Sequence, residues 1–303
     1  MAIGDCYPVE TGECTDLFYL DTGMYDTAEY GAVYILAGER SALIDTGIGR
    51  HYDLILDALE SVGIAPEELD IIAPTHVHLD HAGGAGYLAR HCPNATVVVH
   101  ERGVRHLVDP ARLIEGTKAA VGDQWQFYEE PVPIPEDRIQ PLTDGDVIDL
   151  GDHQLHTHHV PGHASHQVVF EDPANDAVFT ADAAGIYVPT IDAVRETSPP
   201  SEFDLEQCLS DIELLEDIDP ETLLYAHFGP TPTADRLAEY ADVLTDWVVA
   251  VETKRQQVEN DRDVVEHFAE NTSMIDVWGE RKARAEADMN TRGVLQYLDG
   301  RSE

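Results

Sequence analysis

Lysine is the scarcest charged residue here: Lys118, Lys254 and Lys282 are the only three in 303 residues. Cysteine is sparse too. Cys6, Cys14, Cys92 and Cys208 show no C-x-x-C spacing, which argues against a cysteine metal cluster, a redox pair or a secreted disulfide framework. No apolar run approaches the ~20 residues of a membrane span, and the first residues lack a basic-plus-apolar leader pattern. The expectation is a soluble, cytoplasmic protein with no membrane partner. There is no G-x-S-x-G elbow, and no cysteine has an evident base partner, so side-chain nucleophilic catalysis is not supported.

Acidic residues are abundant. Asp and Glu number 59 against 18 Lys and Arg, a formal net charge of −41. Such a surface repels itself and gains stability where salt screens the repulsion. The composition resembles that of proteins from extreme halophiles, which implies a salt-rich cytoplasm. Scarce cations also disfavour a nucleic-acid partner, because phosphate neutralisation needs Lys and Arg. A hydrophobic content of 43% supports a substantial core.

The chain is organised around Thr75-His76-Val77-His78-Leu79-Asp80-His81-Ala82-Gly83-Gly84, where four potential metal ligands fall within six residues. The apolar run Ile71-Ile72-Ala73-Pro74 predicts a buried strand ending in a turn, with a helix starting near His81. His76 and His78 then leave one loop while Asp80 and His81 point elsewhere, so one short segment can serve two metal ions. Neutral imidazole and carboxylate together suit Zn²⁺, with Fe or Mn also compatible.

His76-x-His78-x-Asp80-His81 resembles the signature of the metallo-β-lactamase superfamily. Val160-Pro161-Gly162-His163, Val178-Phe179-Thr180-Ala181-Asp182 and Tyr225-Ala226-His227-Phe228-Gly229 resemble its later ligand segments, in order. The resemblance spans residues 16 to 230. It implies an α/β fold, an αβ/βα sandwich of two mixed β-sheets with outer helices. It also implies two Zn²⁺ ions: His76, His78 and His163 on one, Asp80, His81 and His227 on the other, and Asp182 bridging. Asp80 and Asp182 are the carboxylates closest to catalysis, and a metal-bridging hydroxide is the implied nucleophile. The leading substrate class is a small thioester, ester or lactone, as in glyoxalase II-like members. An RNase Z-like phosphodiesterase is the first alternative, although no basic arm for RNA is visible. A non-haem iron sulfur dioxygenase or flavodiiron-like protein is the second, but a flavodiiron-type site more often has glutamate where His78 stands. Ala164-Ser165-His166-Gln167 departs from the glycine-containing turn often found after the third histidine.

Along the chain, residues 1 to 232 form the expected catalytic domain and 233 to 303 a helical subdomain, packed beside the site or serving a homodimer. Residues 1 to 15 read as peripheral. Short strands are expected at Asp16–Gly23, Ala32–Gly38 and Ser41–Gly47, with Asp45 a candidate to orient a metal ligand. His51–Val62 has the apolar stripe of a helix packed on a sheet, and Gly83, Gly84 and Gly86 allow the next helix to approach its neighbours closely. Residues 101–138, with Trp125-Gln126-Phe127-Tyr128 followed by Pro131, Pro133 and Pro135, read as an insertion at the mouth of the site, a candidate lid. Lys118 and Arg112 are the cations there that could meet an anionic substrate. Among the histidines between 153 and 166 only His163 matches a motif position. Most others are expected at the surface, with His166 close enough in sequence to reach the site, and His100 reads as a polar strand end. The C-terminal helices are expected to break near Asn260, near Asn271 and at Asn290 to Gly293.

Overall fold

Alternation of side chains along short strands builds two sheets, each with two apolar faces. The structure, a computed structural model, describes residues 1–301. The last two residues of the expected 233–303 segment lie outside the described residues. Strands β1 (Cys6–Pro8), β2 (Leu17–Asp21), β3 (Ala32–Ala37), β4 (Ser41–Ile44), β5 (Ile71–Ala73), β6 (Thr96–His100) and β7 (Ile139–Leu142) lie side by side in chain order. Pairing is antiparallel from β1 to β4 and parallel from β4 to β7. The second sheet contains β8 (Val147–Asp149), β9 (Gln154–His159), β10 (Val168–Asp172) and β11 (Ala177–Ala181). A hairpin of β12 (Ile186–Val188) and β13 (Ala193–Arg195) then intervenes before β14 (Thr222–Tyr225) and β15 (Gly229–Pro232) rejoin that sheet. Its order is β15-β14-β11-β10-β9-β8, with only β11 and β14 parallel.

In β3, Tyr34 and Leu36 point into the core between the sheets, and Val33 and Ile35 point outward. In β10 and β11, Phe170 and Phe179 meet them from the other sheet while Val169 and Val178 face out. Outer helices cover both outward faces: α1 (Tyr52–Ser61) and α3 (Ala85–His91) cover the first sheet, following the one-turn α2 (Leu79–Ala82) in the case of α3. The insertion contributes α4 (Val104–Val108) and α5 (Ala111–Val121). The second sheet is covered by α6 (Leu205–Ile218), α7 (Arg236–Arg255), α8 (Asp261–Asn271) and α9 (Ile275–Gly300), through residues such as Ile212, Tyr240, Leu244, Val264 and Val294. This is the expected sandwich with a helical C-terminal layer.

Three details differ from the sequence reading. Residues 6–8 are not peripheral: they extend the first sheet as its edge strand. The hairpin β12–β13 and strand β15 have no clear sequence signal, since Gly229-Pro230-Thr231-Pro232 reads as turn. Finally, α9 does not break at Asn290–Gly293. The Asn290 side chain accepts from the Ser198 main-chain N–H at 2.8 Å. A Cβ on Gly293 would lie 1.8 Å from the Ser198 carbonyl oxygen. Both residues therefore serve a close helix–loop contact within a continuous helix, and the irregular backbone in α9 falls at Gly279 (φ 77°, ψ 154°). The other two breaks lie where expected, with Asn260 capping α8 through its side chain.

Candidate metal centre

The candidate ligands come from segments that follow the C-terminal ends of four strands, so strand direction alone gathers them at one rim of the sandwich. His76 and His78 follow β5, His163 follows β9, Asp182 follows β11 directly, and His227 follows β14. The main-chain N–H of Val168 donates to the Thr75 carbonyl at 2.9 Å and that of Ala32 to the Ala226 carbonyl at 2.8 Å, tying the two sheets together beside this rim. The tight start of α3 needs its glycines. A Cβ on Gly84 would lie 2.4 Å from the Thr46 carbonyl oxygen, and one on Gly86 1.9 Å from that of Val132.

All seven residues converge. The ligand atoms of His76, His78 and His163 lie within 4.8 Å of one another, as do those of Asp80, His81 and His227, and those of His76, His81 and Asp182. Asp182 sits in the middle. Its Oδ2 is 3.1 Å from His163 Nε2, 3.2 Å from His81 Nε2 and 3.6 Å from His76 Nε2, while Oδ1 is 3.6 Å from His227 Nε2. Buried polar atoms normally find hydrogen-bond partners, yet His76 Nε2, His81 Nε2 and Asp182 Oδ1 have none. Orphaned acceptors of these types, gathered so closely, fit divalent cations of the zinc kind.

Outer partners aim the rings. His81 Nδ1 lies 2.9 Å from Asp45 Oδ2, and Asp45 also accepts from the Thr75 main-chain N–H at 2.8 Å and from its hydroxyl. His227 Nδ1 donates to the Tyr30 carbonyl at 2.9 Å. Each bond leaves Nε2 with its lone pair toward the centre. The expected orienting role of Asp45 is matched by this geometry. Tyr30 was not foreseen, because a main-chain carbonyl has no sequence signature.

Protonation follows the same pattern. Burial and then the charges of His81 and His78 push His76 well down, and burial lowers His163 to about 4. Both are neutral at pH 7, as metal ligands must be. Burial by itself would raise the Asp182 carboxyl, but His163, His81 and His227 overcome it and hold it well below the usual range. Asp80 is held down in the same way by His81, His227 and His78. Burial opposes protonation of His81, yet Asp45 and Asp182 drive it well above its ordinary value.

A cavity of about 440 Å³ opens over the cluster. His78, Asp80, His163, Asp182 and His227 reach it from below, and α4, α5 and α9 form its walls. The insertion therefore stands at the mouth, and Arg112 lines the cavity together with Arg105 and Arg292. Lys118 does not. It lies over the Trp125 ring, 4.7 Å from the centroid, so its assignment as a substrate-facing cation is corrected.

The histidine-rich region also needs correction. His153 is buried, its Nδ1 2.9 Å from Asp172 Oδ2, and is not at the surface. His166, expected within reach of the site, is there: it is buried and lines the cavity with its ring 5.5 Å from that of His78. Burial and then His78 and His106 depress it to about 2. It belongs to none of the three ligand groups. His100 ends its strand as expected, and is buried there with its ring stacked on His159 at 4.2 Å. His156 and His158, beside Glu171, remain partly exposed as expected.

No helix among the described residues is long and apolar enough to cross a membrane. Metallo-beta-lactamase fold-containing protein ST1585 of Sulfurisphaera tokodaii is 26% identical over 222 residues, covering 71% of this chain and 79% of its own length. The human acyl-coenzyme A thioesterase MBLAC2 is 27% identical over 192 residues, 55% of this chain and 62% of the thioesterase. The crystal structure of the archaeal superfamily protein ST1585 from Sulfolobus tokodaii superposes with a TM-score of 0.71 at 23% identity, over 93% of this chain and 99% of that one, which shows the fold. The sequence profile of the metallo-beta-lactamase superfamily matches residues 26–227, a span that runs through every candidate ligand, and the chain belongs to that superfamily as an enzyme of the metallo-hydrolase type.

Proposed function

We propose that the chain is a dinuclear metal-dependent hydrolase acting on a small thioester, ester or lactone. The observation that carries this reading is Asp182, whose two carboxylate oxygens lie among the Nε2 atoms of four histidines. His76, His78 and His163 would hold one ion, Asp80, His81 and His227 the other, with Asp182 between them. Ions bound there supply Lewis acidity toward a carbonyl oxygen and lower the pKa of water. The chain's own groups do the rest. Asp80 and Asp182, both held ionised, are the acceptors available to orient an attacking water. Leu113, Val121, Ile186 and Met289 offer the acyl portion of a substrate an apolar wall. The α4–α5 segment would act as the lid that limits water entry.

Cations at the mouth support an anion-bearing substrate. In a chain of net charge −41, Arg105, Arg112 and Arg292 all line the cavity. Arg292 is engaged by Asp288 and the Ala119 and Ala120 carbonyls. Arg105 donates its Nε–H to His106, and neither it nor Arg112 has a carboxylate within ion-pair distance among the described residues, so both keep their charge unpaired at the mouth. Two arginines with no carboxylate partner suit a compact anionic head group far better than the extended phosphate backbone of RNA. The similarity to an acyl-coenzyme A thioesterase points the same way.

The test is an activity panel at molar KCl on protein of measured metal content, comparing acyl-thioester, lactone, bis(p-nitrophenyl) phosphate and RNA substrates. Close to two zinc ions per chain and fastest turnover of the thioester are expected. One tightly bound iron with full activity, or turnover confined to the phosphodiesters, would overturn the proposal.

A further inference from the structure

One buried ion pair beside the cavity takes no part in this chemistry. Lys282 and Glu286 lie one turn apart on α9, each 4% exposed, with Lys282 Nζ 2.5 Å from Glu286 Oε2. Stability is a poor reason for such a pair, because apolar residues of similar volume usually pack as well. Its contacts suggest another reason. The Tyr30 hydroxyl donates to Glu286 Oε2 at 2.9 Å, and the ammonium sits 3.9 Å from the Tyr30 ring centroid and 4.1 Å from that of Tyr25. Asn290 Nδ2, at 3.3 Å, donates to the other oxygen of Glu286.

Tyr30 is thus gripped at its hydroxyl by α9, and at its main chain it accepts the His227 Nδ1–H at 2.9 Å. That second bond decides which nitrogen of His227 keeps its lone pair. The nitrogen it leaves is Nε2, 3.6 Å from Asp182 Oδ1 and 3.8 Å from Asp80 Oδ2. The base of the loop leading to Tyr30 is held by Asp21, whose carboxylate accepts the main-chain N–H groups of Gly23 and Glu29. Tyr25, Asp26 and Glu29 all have left-handed backbone (φ 58°, 56° and 54°), which persists only where the surroundings enforce it. The Tyr30 side chain is held in addition from α9, 256 residues further along the chain.

We infer that Lys282 and Glu286 are positioning residues of the metal centre: the pair fixes Tyr30, and Tyr30 fixes His227 in its ligand-presenting orientation. The C-terminal helical layer thereby completes the active site. The inference rests on His227 being a ligand, as proposed above.

The test uses the full chain and reads zinc affinity by competition with a chromophoric chelator, together with the visible spectrum of the Co²⁺-substituted protein. Tyr30→Phe removes only the hydroxyl link. The double variant Lys282→Met/Glu286→Leu removes the charges and the acceptor together. Both should keep one tight zinc and bind the second about 10–100-fold more weakly, the usual cost of losing an outer partner of a metal ligand, with an altered Co²⁺ spectrum. Lys282→Met/Glu286→Gln, a neutral pair that still offers Tyr30 an acceptor, should restore the second affinity. If the leucine double variant does not fold, Tyr30→Phe carries the test, since it leaves the ion pair and the main-chain carbonyl in place. Parent-like affinity for both ions in Tyr30→Phe would overturn the inference and leave the pair a structural element. A His227→Ala protein that still held the second zinc as tightly as the parent would overturn it together with the ligand assignment.

Discussion

Two clusters of buried polar side chains flank the cavity, and they are built on opposite terms. Around Asp182, ring nitrogens and carboxylate oxygens crowd together with partners missing: His76 Nε2, His81 Nε2 and Asp182 Oδ1 have no hydrogen bond. Around Glu286, Lys282, Tyr30 and Asn290 donate to its two oxygens, so the cluster satisfies itself. Acceptors left unsatisfied at the first cluster mark a place for something the chain does not supply. Full satisfaction at the second marks scaffold. Burial and charge alone would not separate them, since both are equally removed from solvent.

The largest effect should come from removing the central carboxylate. Asp182→Asn keeps the size but loses the charge between the two ligand sets, and kcat should fall by roughly 100-fold or more with loss of at least one zinc, given that even outer partners of ligands cost 10–100-fold. Two retained zinc ions with near-normal turnover would show that the first cluster does not depend on Asp182. The second cluster should fail differently. Lys282→Met by itself leaves the Glu286 carboxylate buried without its counter-ion, so stability should drop by about 3–5 kcal/mol. Restoring neutrality with Glu286→Leu as well should recover most of it, and urea unfolding of both variants measures the difference.

Acid sharpens the comparison further. His163 and His166 titrate near 4 and 2 when folded, below the ordinary value of 6.5. Between pH 6.5 and 4 the unfolded chain therefore binds protons that the folded chain refuses, and stability falls as pH falls. In chelator-treated protein these two groups should give a slope that peaks at up to about 2.7 kcal/mol per pH unit near pH 5 and is smaller toward either end of that window. His166→Asn should reduce the slope by about half, and a slope unchanged by that variant would contradict the burial argument. Catalytically, His166→Ala should cost far less than Asp182→Asn and should retain its zinc, because His166 lies outside the ligand groups. Loss of metal in that variant would redraw the site. The smallest effect per residue belongs to the surface. With a net charge of −41, screening should raise the thermal midpoint between low and molar KCl. A flat or falling midpoint would show that the acidic surface is not an adaptation to salt.

How much was legible follows from where each interaction is encoded. The His76 to His81 loop could be read from four ligand types behind a buried strand, and the outlying His163, Asp182 and His227 only through resemblance to the superfamily's later segments; strand direction then brings these candidates together. Tyr30 could not be read, since its contribution to His227 is a carbonyl that every residue carries. Lys282 and Glu286 were hidden by their spacing: an i, i+4 pair on a helix ordinarily reads as a solvent-exposed salt bridge. His153 looked like a surface residue by alternation along a polar strand, but Asp172 buries it, whereas His166, read as within reach of the site, does line the cavity. Asn290 and Gly293 carried a helix-breaking signal that the Ser198 loop overrode by using both as contact points.

By itself, then, the sequence determined the acidic character through composition, and through its resemblance to the metallo-β-lactamase superfamily it indicated the sandwich class and the candidate ligands. Tertiary structure alone decided that α4, α5 and α9 enclose the cavity, that Arg112 rather than Lys118 faces it, and that a charged pair near the C-terminus sits against the loop orienting His227. Those outcomes depend on which faces of distant segments meet, and that is settled by packing two apolar sheet faces under their helices rather than by any one stretch of the chain.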